Sequence, residues 1–110
     1  DVALGDLDGD TQLDVVFANS DGTEGAKNRV CFGDGTGQFS CADIDANTDR
    51  SYGVAIGDID KDGDLEVVFA TNNISDKRNR ACFRKEGEKS REFSCENVGN
   101  STKRSYDVSL

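Results

Sequence analysis

The sequence predicts an all-β chain built as two consecutive four-stranded antiparallel sheets, and three observations carry that prediction. First, VALGDLDGDTQLDVVFAN (residues 2–19) aligns without a gap with VAIGDIDKDGDLEVVFAT (residues 54–71), at an offset of 52. Second, the later words return in the same order: NRVCF at 28–32 as NRACF at 79–83, FSC at 39–41 as FSC at 93–95, and RSYGVAI at 50–56 as RSYDVSL at 104–110. Third, each copy holds four strand-like words punctuated by Gly, Asp and Asn. The offset drifts from 52 to 51 to 54, so insertions fall between the repeated words, where loops tolerate them.

Taken in order, strands are expected near 1–5, 13–18, 28–33 and 38–43, then near 53–57, 65–70, 79–84 and 92–97. The chain thus divides into a first unit at 1–52, a second at 53–106 and, at 107–110, the first strand of a third. The unbroken apolar run of VVFA fits a strand covered on both faces. A single four-stranded sheet of about fifty residues cannot bury both faces alone, and stacking such sheets radially gives a β-propeller.

Between the first and second strands of each unit stands an acidic loop. Asp6, Asp8, Asp10 and Asp14 crowd into nine residues directly against Val15, Val16 and Phe17. Like charges this close repel, and carboxylates removed from water are costly, so the arrangement implies a cation among them. In a tight loop Asp6, Asp8 and Asp10 can converge while Leu7 and Gly9 turn away, Asp14 closes the far side, and the carbonyl of Gln12 adds an oxygen. An all-oxygen shell at loop positions 1, 3, 5, 7 and 9 suits Ca2+. The second copy offers Asp58, Asp60, Asp62, the carbonyl of Asp64, and Glu66, so two calcium sites are expected. With no His in the chain, softer transition metals are poorly served. An EF-hand is excluded, because its twelfth position is a bidentate Glu between helices. Here that position is Phe17 or Phe69, and the flanks are β-rich.

The words V-A-L-G-D-x-D-x-D, D-V-V-F-A-N, N-R-V and G-D-G-T-G-Q-F resemble FG-GAP/VCBS-type repeats, the blade units of integrin-like β-propellers. The resemblance covers nearly the whole chain and is most specific at the acidic loop and its flanking strands. It implies that each loop joins the first two strands of a blade and that the ions lie at one end of the propeller. The chain departs from the pattern at Thr11, where the loop usually carries Gly and where Gly63 stands in the second copy. It departs again where the longer Arg84–Arg91 turn replaces Gly33–Gly37.

Two blades cannot close a ring that needs about four to eight. Residues 1–4 and 107–110 match in phase, so the chain is expected to be a piece of a longer array, with self-completion by oligomerisation as the other reading. Neighbouring blades, of the same or another chain, are therefore its first expected partners. No hydrophobic run is long enough to cross a membrane, so no membrane insertion by this segment is expected. The net charge of −9 argues against nucleic acid and anionic membranes as partners. That excess is local, since without the eight proposed side-chain ligands 14 acidic residues face 13 basic ones. The basic words at 76–80 and 84–92 are interleaved with Glu86, Glu88 and Glu92 and read as a solvated hairpin face rather than a sulfated-glycan patch.

Cys31 with Cys41, and Cys82 with Cys95, bracket equivalent hairpins, and cross-strand disulfides at the hairpin bases follow. Asn73-Ile74-Ser75 and Asn100-Ser101-Thr102 are N-glycosylation sequons in expected inter-strand loops. With the calcium loops they point to an extracellular, secreted or cell-surface ectodomain. Catalysis has little support. Without His and with paired cysteines the usual nucleophile and acid–base constellations are missing, and Asp43, Asp45, Asp49 and Glu96 form no recognisable glycosidase pair. Two readings follow: a calcium-stabilised extracellular interaction or adhesion module that binds protein, or a lectin-like propeller or accessory part of a polysaccharide-active enzyme. The absence of Trp favours the first, because sugar pockets need aromatic platforms. Tyr52 and Tyr106, at the same phase of the repeat, read as packing residues between blades.

Overall fold

The computed structural model describes residues 1–20, 26–46, 50–72, 79–86 and 90–98. Among these residues eight strands form two four-stranded sheets. The first holds β1 (Val2–Gly5), β2 (Asp14–Phe17), β3 (Arg29–Gly33) and β4 (Phe39–Asp43) in chain order. The second holds β5 (Arg50–Gly57), β6 (Glu66–Asn72), β7 (Asn79–Arg84) and β8 (Phe93–Val98), again in chain order. Every pairing is antiparallel, and the described residues contain no helix. The second sheet begins earlier than the sequence suggested. Arg50 and Ser51 already pair with Asn72 and Thr71, ahead of a bulge between Ser51 and Gly53 that hides the alternation. The sequon asparagines Asn73 and Asn100, together with Tyr106 and residues 107–110, lie outside the described residues.

Register sorts the side chains. Leu4, Val15, Cys31 and Cys41 stand opposite one another across the first sheet, and Ile56, Val67, Cys82 and Cys95 do so across the second. Because directly paired residues project to one side, each sheet has a cysteine face. Its disulfide, Cys31–Cys41 or Cys82–Cys95, joins the third and fourth strands as the hairpins suggested. On the opposite face of the first sheet lie Val16, Val30 and Phe32.

The two sheets stack in one sense only. Leu7, Val16, Val30, Phe32 and Ile44 of the first unit meet Val54, Val67, Phe69, Cys82 and Phe93 of the second in a single apolar core. The opposite face of one sheet thus covers the cysteine face of the next. Full burial of a side chain such as Phe69 contributes about 1.5–3 kcal/mol. Polar contacts fix the stack: Ser51 N donates to Asn19 O (3.0 Å), Asn28 Nδ2 to Ser51 Oγ (2.8 Å), and Val54 N to the Asp1 carboxylate (3.0 Å). Arg80 reaches Asp45 at 2.6 Å.

Candidate metal centre

Each acidic loop links the first two strands of its sheet, and both are wound by five equivalent hydrogen bonds, to which the first loop adds Gly9 N donating to Asp6 at 2.9 Å. The N–H groups of Asp10 and Asp62 donate to Asp6 and Asp58 at 3.1 Å. The same two N–H groups also reach Asp8 and Asp60 at 3.2 Å. Thr11 N and Gly63 N bind the second oxygens of Asp6 and Asp58 at 2.9 and 3.1 Å. Gln12 N and Asp64 N bind Asp10 and Asp62, both at 2.8 Å. Leu7 N and Ile59 N close each turn on Asp14 and Glu66, both at 2.7 Å. The carboxylates therefore act twice, bending the backbone and aiming one another inward.

That winding requires left-handed backbone at two places per loop. Gly9 and Thr11 have φ of 79° and 73°, and their equivalents Lys61 and Gly63 have 63° and 95°. Each loop spends one glycine on this demand, at opposite positions. Thr11 is the costlier exception, since a β-branched residue is a genuine outlier at positive φ.

Carboxylate oxygens of Asp58, Asp60, Asp62 and Glu66 lie within 4.8 Å of one another, and so do those of Asp6, Asp8 and Asp14. Of the expected side-chain ligands, Asp10 alone stands outside its cluster. Asp14 and Glu66, at the starts of β2 and β6, are buried, and no described Lys or Arg pairs with either. Burial raises the Asp14 carboxyl above its ordinary range, opposed by N–H donation from Leu7 and Gly33 and aided by the charges of Asp8 and Asp10. Burial raises Glu66 likewise, against donation from Ile59 and with the charges of Asp60 and Asp62. An all-oxygen, convergent and anionic donor set with buried members fits a hard divalent cation.

Two arginines from the stretch that reads in sequence as a solvated hairpin face, Arg84 and Arg91, enter this region. Arg91, next to the long β7–β8 turn, donates to Asp8 of the first loop at 2.9 Å and lies 4.8 Å over the Phe32 ring. Arg84 donates to Asp64 of the second loop at 2.6 Å, while its Nη1 is buried with no partner among the described residues. A Cβ on Gly9 would come within 3.6 Å of that Nη1, so Arg84 lies between the two loops. Arg84 takes the place that Gly33 holds in the first sheet, where any side chain would strike the Leu13 carbonyl. The clue in the sequence was the pair of arginines bracketing the one turn that departs from the repeat.

No curated protein and no solved structure matches the chain significantly. A family model described as FG-GAP-like repeat matches residues 6–69, from Asp6 of the first acidic loop to the end of VVF in the second unit. With more than half of its length matched and two equivalent antiparallel sheets on the page, the chain belongs to the FG-GAP-like repeat family.

Proposed function

We propose that this repeat module is a calcium-stabilised part of an extracellular β-propeller that binds another protein, as adhesion modules do. The duplicated loop scaffold carries the reading: ten hydrogen bonds, five per loop and equivalent one for one, hold carboxylates toward a common point at the start of β2 and β6. Asp6, Asp8, Asp14 and the Gln12 carbonyl, with Asp10 nearby, would hold one Ca2+. Asp58, Asp60, Asp62, Glu66 and the Asp64 carbonyl would hold the other. Bound calcium supplies the positive charge that lets buried Asp14 and Glu66 stay ionised. The loops then fix where the second strand of each blade enters its sheet, which stiffens the module rather than performing a reaction.

Paired disulfides support an extracellular location. A protein partner is favoured over a glycan because the chain has no Trp and Arg80, Arg84 and Arg91 are engaged by Asp45, Asp64 and Asp8. A glycan array on the protein should therefore be blank. The deciding experiment is thermal unfolding in calcium and in chelator. An ion at a hundred times its dissociation constant stabilises the bound state by about 2.7 kcal/mol per site. Asp60→Ala should lower the midpoint in calcium but not in chelator, since it removes a ligand and relieves repulsion together. Equal wild-type midpoints in the two buffers would sink the calcium reading.

A further inference from the structure

Two arginines of the second unit meet the acidic loops, and they meet them differently. Arg84 holds the Asp64 carboxylate, while the expected ligand there is the Asp64 carbonyl, so that pair leaves the donor set of the second loop intact. Arg91 instead holds Asp8, a member of the three-carboxylate cluster of the first loop. Both oxygens of Asp8 are already accepting, Oδ1 from Asp10 N at 3.2 Å and Oδ2 from Arg91 Nε at 2.9 Å. A cation on either oxygen would stand beside a guanidinium, and like charges that close repel.

The arginine is no part of the repeated pattern. Counted from the two FSC words, Arg91 takes the place of Gly37, and the separation of the paired cysteines grows from 10 to 13 in its hairpin. The pair is also lopsided. The Asp8 side chain is 2% exposed and that of Arg91 49%, with the guanidinium 4.8 Å over the Phe32 ring. A buried carboxylate left without a cation is strongly destabilising. A half-exposed arginine can let go of its partner and keep its charged end in water. Asp8 therefore needs a cation at all times, and Arg91 is one that can yield.

We propose that Arg91 is a displaceable intramolecular counter-ion of the first loop: it neutralises Asp8 when calcium is scarce and releases the carboxylate when the loop is loaded, its side chain staying against Phe32. This rests on the calcium reading of the loops. Linkage makes the exchange reciprocal, so whatever Arg91 contributes to the metal-free protein is subtracted from the affinity of the first loop for the ion. The stability of the first unit then depends less on calcium than its carboxylates alone would dictate.

Thermal unfolding of the whole chain carrying Arg91→Gln, in chelator and in saturating calcium, tests this. The substitution should lower the midpoint by a few degrees in chelator and leave it nearly unchanged in calcium. Arg80→Gln is the control, since its pair with Asp45 involves no residue of an acidic loop and its loss should be felt equally in both buffers. In heteronuclear spectra the Arg91 Nε–H signal should leave its hydrogen-bonded position as calcium is added. It should do so again in Asp60→Ala, which impairs the second loop alone. If Arg91→Gln fails to unfold cooperatively, the spectra of the wild type and of Asp60→Ala decide. A wild type whose midpoint and spectrum ignore calcium would overturn the calcium reading and this proposal with it. A wild type that responds to calcium while the Arg91 signal stays in place, or while Arg91→Gln costs the same in both buffers, would overturn this proposal alone.

Discussion

The two acidic loops are the same object in different surroundings. Five of their backbone bonds agree donor for donor, with Gly9 N to Asp6 added in the first, yet in the first loop Asp8 and Asp14 are buried, whereas in the second only Glu66 is, and Asp58, Asp60 and Asp62 face solvent. The first loop lies beneath the second sheet, whose Arg91 reaches into it. The second loop has no described sheet beyond it and keeps four clustered carboxylates rather than three. The repeat fixes how a loop is wound. The neighbour in the stack decides how buried it is and which charges meet it.

The same contrast at core positions gives the largest expected effect. Phe69→Ala empties a site packed between the sheets and should cost about 3–5 kcal/mol. Phe17→Ala, the same change at the same place in the repeat, should stay within about 0.5 kcal/mol for a monomer. Chemical denaturation of both variants at low protein concentration is the measurement. Equal losses would mean that the first cysteine face is covered and the comparison is mistaken.

Next comes the exchange of glycines between the loops. A non-glycine residue held at positive φ costs on the order of 1–3 kcal/mol, and glycine gives back part of any relief through the entropy of the unfolded chain. Thr11→Gly should therefore stabilise the protein by about 1 kcal/mol, and Gly63→Thr should destabilise it by at least as much. A Thr11→Gly variant no more stable than wild type would show that the first loop tolerates its φ of 73° without strain.

Much of this was legible in the sequence because it is periodic. Strand β2 was expected at 13–18 and runs Asp14–Phe17, and β7 was expected at 79–84 and runs Asn79–Arg84. The convergence of Asp58, Asp60, Asp62 and Glu66 also follows from local chain geometry that one repeat contains. What escaped depends on contacts between repeats. Arg84 and Arg91 find Asp64 and Asp8 only once the chain has folded into its sheets, from positions distant in sequence. The early start of β5 is of the same kind. Ser51 pairs with Thr71 but also meets Asn19 and Asn28 of the first unit, so its strand is extended by a neighbour rather than by its own residue pattern. Asp10 drops out of the first cluster although its equivalent Asp62 is in the second, and nothing in the structure explains that difference.

A smaller effect tests whether the neighbour tunes the site. Asp8 has one oxygen engaged by Arg91, a pair in which the arginine side chain is 49% exposed and the aspartate is buried. Such half-exposed pairs are worth up to about 1 kcal/mol. Arg91→Gln should therefore raise calcium affinity at the first loop by a few-fold and leave the second unchanged. Titration calorimetry resolves this if the second site is first removed with Asp60→Ala. Unchanged affinity would mean that Arg91 and the ion do not compete for Asp8.

The smallest effect separates the two hairpins that follow the loops. In the first unit, Asp34 closes the short β3–β4 turn by accepting from the Thr36 hydroxyl (2.6 Å), Thr36 N (2.8 Å) and Gln38 N (3.3 Å). The Thr36 hydroxyl, then the Thr36 N–H, hold the Asp34 carboxyl below its ordinary range. The longer β7–β8 turn keeps only the bond at the base, Lys85 N to Glu92 O (2.8 Å), among the described residues, which the short turn also makes from Asp34 N to Gln38 O (3.1 Å). A carboxyl whose value is depressed on folding stabilises the folded state above its unfolded value, and that stability is lost as pH falls through the folded value. Asp34→Ala should therefore be slightly less stable than wild type at neutral pH, with the gap narrowing on acidification below the usual carboxylate range. Both proteins are compared in chelator, so that protonation of the acidic loops affects them equally. The Asp34 turn is fully solvated, so salt should shrink the gap only modestly, its origin being hydrogen bonds rather than distant charge. A gap that stays constant from neutral to acidic pH would show that the ionised carboxylate contributes nothing to this turn, and the two hairpins would then differ in length alone.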